Sequence, residues 1–538
     1  MYAVDRGHVQ VAKLLLESSI GNALVVARDN TGSTALDWAR VLGNRELEAL
    51  LLEHGAVPGT GVISLAHPPH SPRSCRQHAS TTLDSSIPAS SYWRDKPVHH
   101  TTDTTASTTH SQPIRSPSEL VARASPTATP LDDALCWDYF GSTTHEVPER
   151  RTLTNDQLRD IYDLISADDE DDASSSSSSG GAESESILAR VLSPIRVPTN
   201  KTFLRHVLMA GGSDAEAPVD HWWLGIRERG STLPLIGFIA ATRTQLSIHG
   251  VETPSIEIHE LVLDPRWRGK RLAPILINEM ERIILRSSAI GTAVFTTSNV
   301  LAIKPLCSCA TYTKALNLTN VLRSPFLRLL EYQTLAEMQY QLDQARAGAS
   351  RCGDLVLSHR PLHESDLATA QAFLATALQH KPIHERFSLA GVRYRLLEHV
   401  ADAEEQRTLH SYMVFAAAAA PATESATERL VGIAAFTLSH VHNTTTQRPI
   451  RLAHLTYVVG DSHTCSSEQV LAYALHSILL ASDVCDAVTL LENGFDAAML
   501  REPAVGLVPF SLAEPVHVHL FNWRCSPVSP ANVAIKFW

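Results

Sequence analysis

The chain has 538 residues, a net charge of −12 and eight cysteines. That length exceeds the roughly 250–300 residues that one core sustains, so several domains are expected. The acidic balance argues against a nucleic-acid binder, whose footprint is basic. No apolar run approaches the ~18 residues that span a membrane, and the start Met1-Tyr2-Ala3-Val4-Asp5 has no signal-peptide pattern. Sparse, irregular cysteines read as reduced thiols of a cytoplasmic protein. Cys307-Ser308-Cys309 has no second pair to complete a metal set, and no His-Glu-x-x-His spacing occurs, so no metal is expected.

Residues 1–57 carry an internal repeat. Gly7-His8-Val9-Gln10-Val11-Ala12-Lys13-Leu14-Leu15-Leu16-Glu17 returns 36 residues later as Gly43-Asn44-Arg45-Glu46-Leu47-Glu48-Ala49-Leu50-Leu51-Leu52-Glu53. With Asp29–Ala39 between the copies and His54-Gly55-Ala56 closing the second, the segment resembles about two ankyrin repeats, the first truncated. That resemblance implies a protein-binding surface and no chemistry. Such repeats bury their apolar faces only against neighbours, and about three are needed for stability.

Residues 58–84 read as disordered linker, because Ser, Thr, Pro and His bury too little apolar surface to offset ordering. Low-complexity stretches follow at 99–130 and 168–187. An aromatic island, Tyr92-Trp93-Arg94-Asp95-Lys96-Pro97-Val98, stands just before the first of them, and a helix candidate at Asp156–Ile165 lies between the two. His221–Arg227 and Leu235–Ala241 read as two strands.

Ile256, Ile258, Leu261 and Leu263 then mark a mostly buried strand, which Asp264-Pro265 ends. Arg268-Gly269-Lys270-Arg271 leads into Leu272, Ile275, Leu276, Met280, Ile283 and Ile284, an amphipathic helix. Strand, basic turn and helix start make a place to hold phosphate: free N–H groups face the anion, and Arg and Lys add charge. An ordinary solvated turn is the alternative reading.

The turn resembles the coenzyme-A turn of the GNAT acyltransferase fold. The longer string, Glu257-Ile258, Leu261, Arg268 and Lys270-Arg271-Leu272-Ala273-Pro274, resembles the acyl-CoA signature of the N-myristoyltransferases (glycylpeptide N-tetradecanoyltransferases). Further landmarks follow in order: Leu135–Asp138, Lys304-Pro305, Leu490-Leu491-Glu492-Asn493 and Val518-His519-Leu520-Phe521-Asn522-Trp523-Arg524-Cys525.

The resemblance implies an α/β (α+β) fold of two tandem GNAT-like halves, at 85–350 and 351–538. It implies transfer of myristoyl from myristoyl-CoA, as co-substrate, to the N-terminal glycine amine of peptides or proteins. The acyl-CoA would lie on Tyr92, Trp93, Glu260, Leu261, Val262, Leu263, Arg268, Gly269, Lys270, Arg271, Leu272, Ala273 and Pro274. Amides of Glu260 and Leu261 would form the oxyanion hole, and the α-carboxylate of Trp538, 15 residues past Trp523, would be the base. Thr296, Tyr457 and, by a one-residue shift, Glu514 would meet the peptide.

The chain departs from the family at Leu512-Ala513-Glu514, where the family has Gly-Asp-Gly, and at Thr313, where it has a histidine. These departures touch peptide recognition more than acyl-CoA binding. A catalytically impaired acyl-CoA-binding or ankyrin-based interaction module is therefore the alternative, and an acetyltransferase using the turn alone is a third.

Overall fold

The computed structural model describes residues 13, 16, 34–41, 45–56, 93, 96–98, 111–140, 153–174, 201–209, 220–230, 234–321, 324, 326–327, 334–397, 408–418, 428–443, 448–481, 483–510 and 513–537. It forms two compact units, Met1–Ser86 and Ile87–Trp538. The linker expected at 58–84 lies outside the described residues, as do Tyr92 and Trp538.

In the first unit, helices Ala35–Val41 and Arg45–Glu53 pack as a pair over Leu36, Ala39, Leu51 and Leu16. Gly55, at φ +81°, lets the Ala56 N–H turn back to Leu51 O at 2.9 Å. Glycine takes that left-handed conformation without a Cβ penalty. Most of the first sequence copy lies outside the described residues.

The second unit holds two large sheets. One runs in the order 533–534, 383–385, 235–248, 251–263, 292–297, 516–521 and 307–309, with 221–228 also on 235–248 and 135–138 beyond it. The other runs 508–509, 311–315, 487–491, 448–460, 429–443, 409–418, 355–361 and 351–352. The two repeat one plan. Each has a long antiparallel hairpin, 235–248 with 251–263 and 429–443 with 448–460. A helix then crosses to a parallel strand, Leu272–Ser288 in the first half and Ser467–Tyr473 in the second.

The division expected at 350/351 runs across both sheets. Cys307–Cys309 sits in the first sheet and Thr311–Ala315 in the second, so the chain changes sheet at Ala310. Glu492 holds the crossing: its Oε2 accepts from the Ala310 N–H at 3.0 Å, and its own N–H donates to Ala310 O at 2.9 Å. Strands Ile383–Glu385, Val516–Phe521 and Val533–Ala534 return from the later sequence to the first sheet. These strands pair their backbone groups with the first sheet, which interlocks the two halves.

The helix after the first hairpin buries Leu272, Leu276, Met280 and Ile284 against Ile239, Ala241 and Ile256. It also buries two charges. Glu279 accepts from Arg282 Nε at 2.9 Å, from the Thr129 N–H at 2.8 Å and from the Tyr139 hydroxyl at 2.9 Å. Burial alone would raise this carboxyl, but these donors hold it below its usual value. Among the described residues, no helix is long and apolar enough to cross a membrane.

Candidate active site

The strand Val251–Leu263 does not alternate evenly. Phe238 faces Val262 and Ala240 faces His259, so Glu260 and Leu261 together oppose Ile239. This is a β-bulge, and Glu260 sits in it at φ +52°. The step of three between Ile258 and Leu261 was its signal in the sequence, and it keeps Ile256, Ile258, Leu261 and Leu263 on one face. Leu261 is nevertheless 38% exposed, because the bulge lifts it out of the packed surface.

Pairing on the other side of this strand stops just before the bulge. Its parallel neighbour Thr292–Thr297 matches it only from Ser255 with Thr292 to Ile258 with Phe295. Past Ile258 the two strands part. The bulge lies on one arm of this fork and Thr296 on the other. A bulge takes backbone groups out of the ladder, and amides at such a place can receive an oxyanion. Phe295, at the fork, stacks on Trp93 at 6.1 Å and on His519 at 5.1 Å between ring centroids.

Below the bulge, Asp264 accepts from the Arg266 N–H at 2.9 Å and from its guanidinium, which holds the Asp264 carboxyl below its usual value. Gly269 (φ +78°) and Arg271 (φ +61°) are both left-handed. Arg271 caps the helix Leu272–Ser288 without a side-chain bond, and no acidic residue stands in its first turn. Arg268, Lys270 and Arg271 are exposed, with Lys270 Nζ 3.8 Å above the Trp267 ring. Backbone N–H groups of the turn and first helical turn thus converge beside three cations, an arrangement suited to phosphate.

The second half repeats the bulge and the fork without the cations. Ala435 faces Tyr457 and Phe436 faces Leu455, so Thr456 is the extra residue, and pairing with Ala487–Leu491 ends at Leu455 with Leu490. Its turn, Gly460-Asp461-Ser462-His463-Thr464-Cys465-Ser466, has no Lys or Arg. Asp461 instead accepts from the Thr464 hydroxyl at 3.1 Å. Arg429 donates to the same Asp461 at 2.6 Å, so the cation there is paired to a carboxylate, whereas the turn before Leu272 carries Arg268, Lys270 and Arg271 in its own sequence.

In the second fork lies a cleft enclosing about 980 Å³ of non-protein space, part of it open to solvent. Tyr457, His454, Asn493, Lys381, Ile535 and Phe537 are among its walls. Tyr457 is buried, packs edge-on against Phe387 at 5.8 Å, and its hydroxyl has no hydrogen-bond partner among the described residues. His454 bridges Ser439 at 3.0 Å and Thr489 at 2.7 Å, and burial takes its pKa down to about 4, so it is neutral. Thr296, Glu260 and Leu261 do not line this cleft. Glu514 is exposed on the loop before Val516–Phe521 and does not line it either.

Residues 193–309 match the family model described as "Myristoyl-CoA:protein N-myristoyltransferase, N-terminal domain". The Saccharomyces cerevisiae N-myristoyltransferase with bound myristoyl-CoA superposes with a TM-score of 0.61 at 18% identity, over 85% of this chain and 97% of that one. The fold is that of the N-myristoyltransferases. The glycylpeptide N-tetradecanoyltransferase of Emericella nidulans is 25% identical over 344 residues, 61% of this chain and 63% of that protein. The probable glycylpeptide N-tetradecanoyltransferase of Caenorhabditis elegans is 25% identical over 354 residues, 64% of this chain and 69% of that protein. Over 119 residues, 22% of this chain, identity to the Kluyveromyces lactis glycylpeptide N-tetradecanoyltransferase reaches 34%, covering 26% of that protein. The chain thus spans just under two thirds of the first of these relatives. Within the N-myristoyltransferase fold the bulge, the basic turn and the aromatic stack occupy one half, and the large cleft the other.

The sequence missed the cleft's Asn493 and Lys381, because their roles come from strands that meet only in the fold. It also missed that Asn522 and Trp523 are clamps. The Asn522 carboxamide bonds the backbone of Arg115, and Trp523 Nε1 donates to Ser111 Oγ at 2.7 Å.

Proposed function

We propose that the chain transfers a myristoyl group from myristoyl-CoA to the N-terminal glycine amine of acceptor peptides or proteins. The observation that carries this reading is the bulge at Glu260 and Leu261, standing at a strand fork directly above a basic, uncapped helix start. Arg268, Lys270 and Arg271 with the amides of Gly269, Leu272 and Ala273 take the phosphates. Val262, Leu263 and Pro274 border that path, and Trp93 covers it.

The amine nitrogen attacks the thioester carbonyl, and the Glu260 and Leu261 amides hold the oxyanion. The C–S bond then breaks, the amide remains on the glycine, and coenzyme A leaves as its thiol. The ammonium must first lose a proton. In this reading the α-carboxylate of Trp538, beyond the buried residues Val533–Lys536, takes it. Tyr457 meets the acceptor inside the cleft, and in this reading Thr296, beside the bulge, and Glu514, on its exposed loop, meet it outside the cleft.

The half-buried carboxylate of Glu260 favours a second reading, an acyl-CoA-binding module without turnover, because a negative charge at the hole opposes the oxyanion. The helical pair in the first unit would then recruit a protein partner, as ankyrin repeats do. Under both readings the chain works in the cytoplasm.

The test is turnover of myristoyl-CoA with a panel of Gly-initiated peptides, beside myristoyl-CoA affinity by calorimetry. Turnover supports the transferase. Tight binding with no turnover supports the module, and failure to bind myristoyl-CoA overturns both.

A further inference from the structure

Four charged side chains lie together in the core of the second unit, and none of them belongs to the basic turn. Glu257 is 2% exposed, Glu385 4%, Arg395 1% and Lys536 1%. Charges this deep are rare unless paired. Arg395 Nε donates to Glu385 Oε1 at 3.0 Å, and its Nη2 donates to Glu257. Thr244 donates its hydroxyl proton to the same Glu385 oxygen at 3.1 Å. The Lys536 N–H donates to Glu385 Oε2 at 3.4 Å, and its Nζ donates to the Arg395 carbonyl. Two carboxylates thus balance two cations. Burial pushes the Glu257 carboxyl up and the Lys536 ammonium well down, which is the strain such a cluster carries.

The four residues come from four separate elements. Glu257 lies on the strand of the bulge, three residues before Glu260. Glu385 ends the short strand Ile383–Glu385, and Arg395 lies in the helix Leu389–Leu396. Lys536 follows the strand Val533–Ala534, which pairs with Ile383 and His384. The extended tail alternates its faces. Lys536 points into the cluster, while its neighbours Ile535 and Phe537 line the cleft. Asn493 Nδ2 donates to Ile535 O from the opposite wall. Tyr457 stands between the two environments: it lines the cleft, and Glu385 and Arg395 act on its hydroxyl.

We propose that the quartet Glu257, Glu385, Arg395 and Lys536 seats the tail Val533–Phe537 as a wall of the acceptor cleft and locks that wall to the strand of the bulge. Lys536 is a positioning residue: it touches no reacting atom and fixes the residues that do face the acceptor. The inference rests on the acceptor reading of the cleft given above. A methionine there would fill the same volume without the charge. It would remove the donor to the Arg395 carbonyl and leave two carboxyl groups facing one guanidinium. Replacing Glu385 by glutamine as well restores the balance and keeps a carbonyl oxygen for the Lys536 N–H.

The experiment compares the wild type, Lys536→Met and the double variant Lys536→Met/Glu385→Gln in the full chain. Three quantities are read: hydrogen exchange of residues 533–537, myristoyl-CoA affinity by calorimetry, and kcat and KM for a Gly-initiated peptide. Lys536→Met is expected to lower tail protection by about tenfold or more and to raise peptide KM by about tenfold. Myristoyl-CoA affinity is expected to stay within about twofold, since the basic turn is untouched. The double variant recovers part of both losses. Unchanged tail protection overturns the proposal, as does lost protection with unchanged peptide KM. Parallel losses of myristoyl-CoA and peptide affinity also overturn it, because they mean general unfolding. A wild type that binds myristoyl-CoA but acylates no peptide overturns the transferase reading instead, and tail protection alone then decides the seating.

Discussion

The carboxamide of Asn522 closes on the backbone of Arg115, 407 residues earlier: its Oδ1 accepts from the Arg115 N–H at 2.8 Å and its Nδ2 donates to Arg115 O at 2.9 Å. Asn522 is buried and left-handed at φ +56°, a conformation asparagine tolerates better than most residues. Its own N–H donates to Pro97 O at 2.6 Å, so one residue pins two points of the segment that carries Trp93. Asn522→Ala leaves the Arg115 backbone groups without their partner, which should cost about 2–4 kcal/mol. Thermal denaturation checks this, together with trypsin cleavage near Arg115. An unchanged melt and an unchanged cleavage rate would mean the clamp is dispensable.

Charge reversal in the turn separates binding from folding. Arg268, Lys270 and Arg271 are exposed and none is buried in the core, so Lys270→Glu with Arg271→Glu should leave the melting temperature nearly unaltered. If each makes a charge-assisted bond worth about 1.5–3 kcal/mol, coenzyme-A affinity should fall by more than about a hundredfold. Calorimetry with coenzyme A measures it, and equal affinity would remove the turn from the site.

Glu260 allows charge and backbone to be tested apart. Glu260→Gln keeps the side-chain volume and removes the negative charge beside the bulge amides. Turnover should rise if that charge opposes the oxyanion, while the melt stays level. Glu260→Gly instead relieves the left-handed backbone, which costs a non-glycine residue about 1–2 kcal/mol. Part of that gain is offset by the added freedom of the unfolded chain. A lower kcat in Glu260→Gln would show that the carboxylate assists the reaction.

Four histidines shielded from water make stability depend on acidity, two of them buried (His476, His519) and two half-buried (His259, His454). Burial takes the pKa of His259 to about 3, and those of His454, His476 and His519 to about 4. Unfolded, each returns to about 6.5. Between those values the unfolded chain binds more protons than the folded one, so stability rises with pH there. It should therefore be lost as pH falls from about 6.5 toward 4, at up to about 1.4 kcal/mol per pH unit for each histidine. Urea midpoints at pH 7.5 and 5.5 test the sign. His454→Gln, which keeps bonds to Ser439 and Thr489 possible, should flatten the slope.

Local chemistry determined much of this protein from sequence alone. Apolar spacing at Leu272, Leu276, Met280 and Ile284 fixed a helix, since an amphipathic face shows at a period of 3.6 without any partner. Arg268-Gly269-Lys270-Arg271 before that helix marked a candidate phosphate turn, because the glycine, the charges and the helix start are neighbours in the chain. Landmarks such as Glu492-Asn493 and Asn522-Trp523 were legible as markers of order but not as clamps. Tertiary structure alone decided the rest. The bulge became a candidate oxyanion hole only when its parallel neighbour turned away after Ile258. The cleft proposed for the acceptor needed the fork between residues 448–460 and 487–491, with a wall from 533–537. The quartet of Glu257, Glu385, Arg395 and Lys536 spans 279 residues of sequence. A pattern read along the chain carries pairings a few residues apart, whereas the burial that gives these groups their properties exists only after distant strands have met.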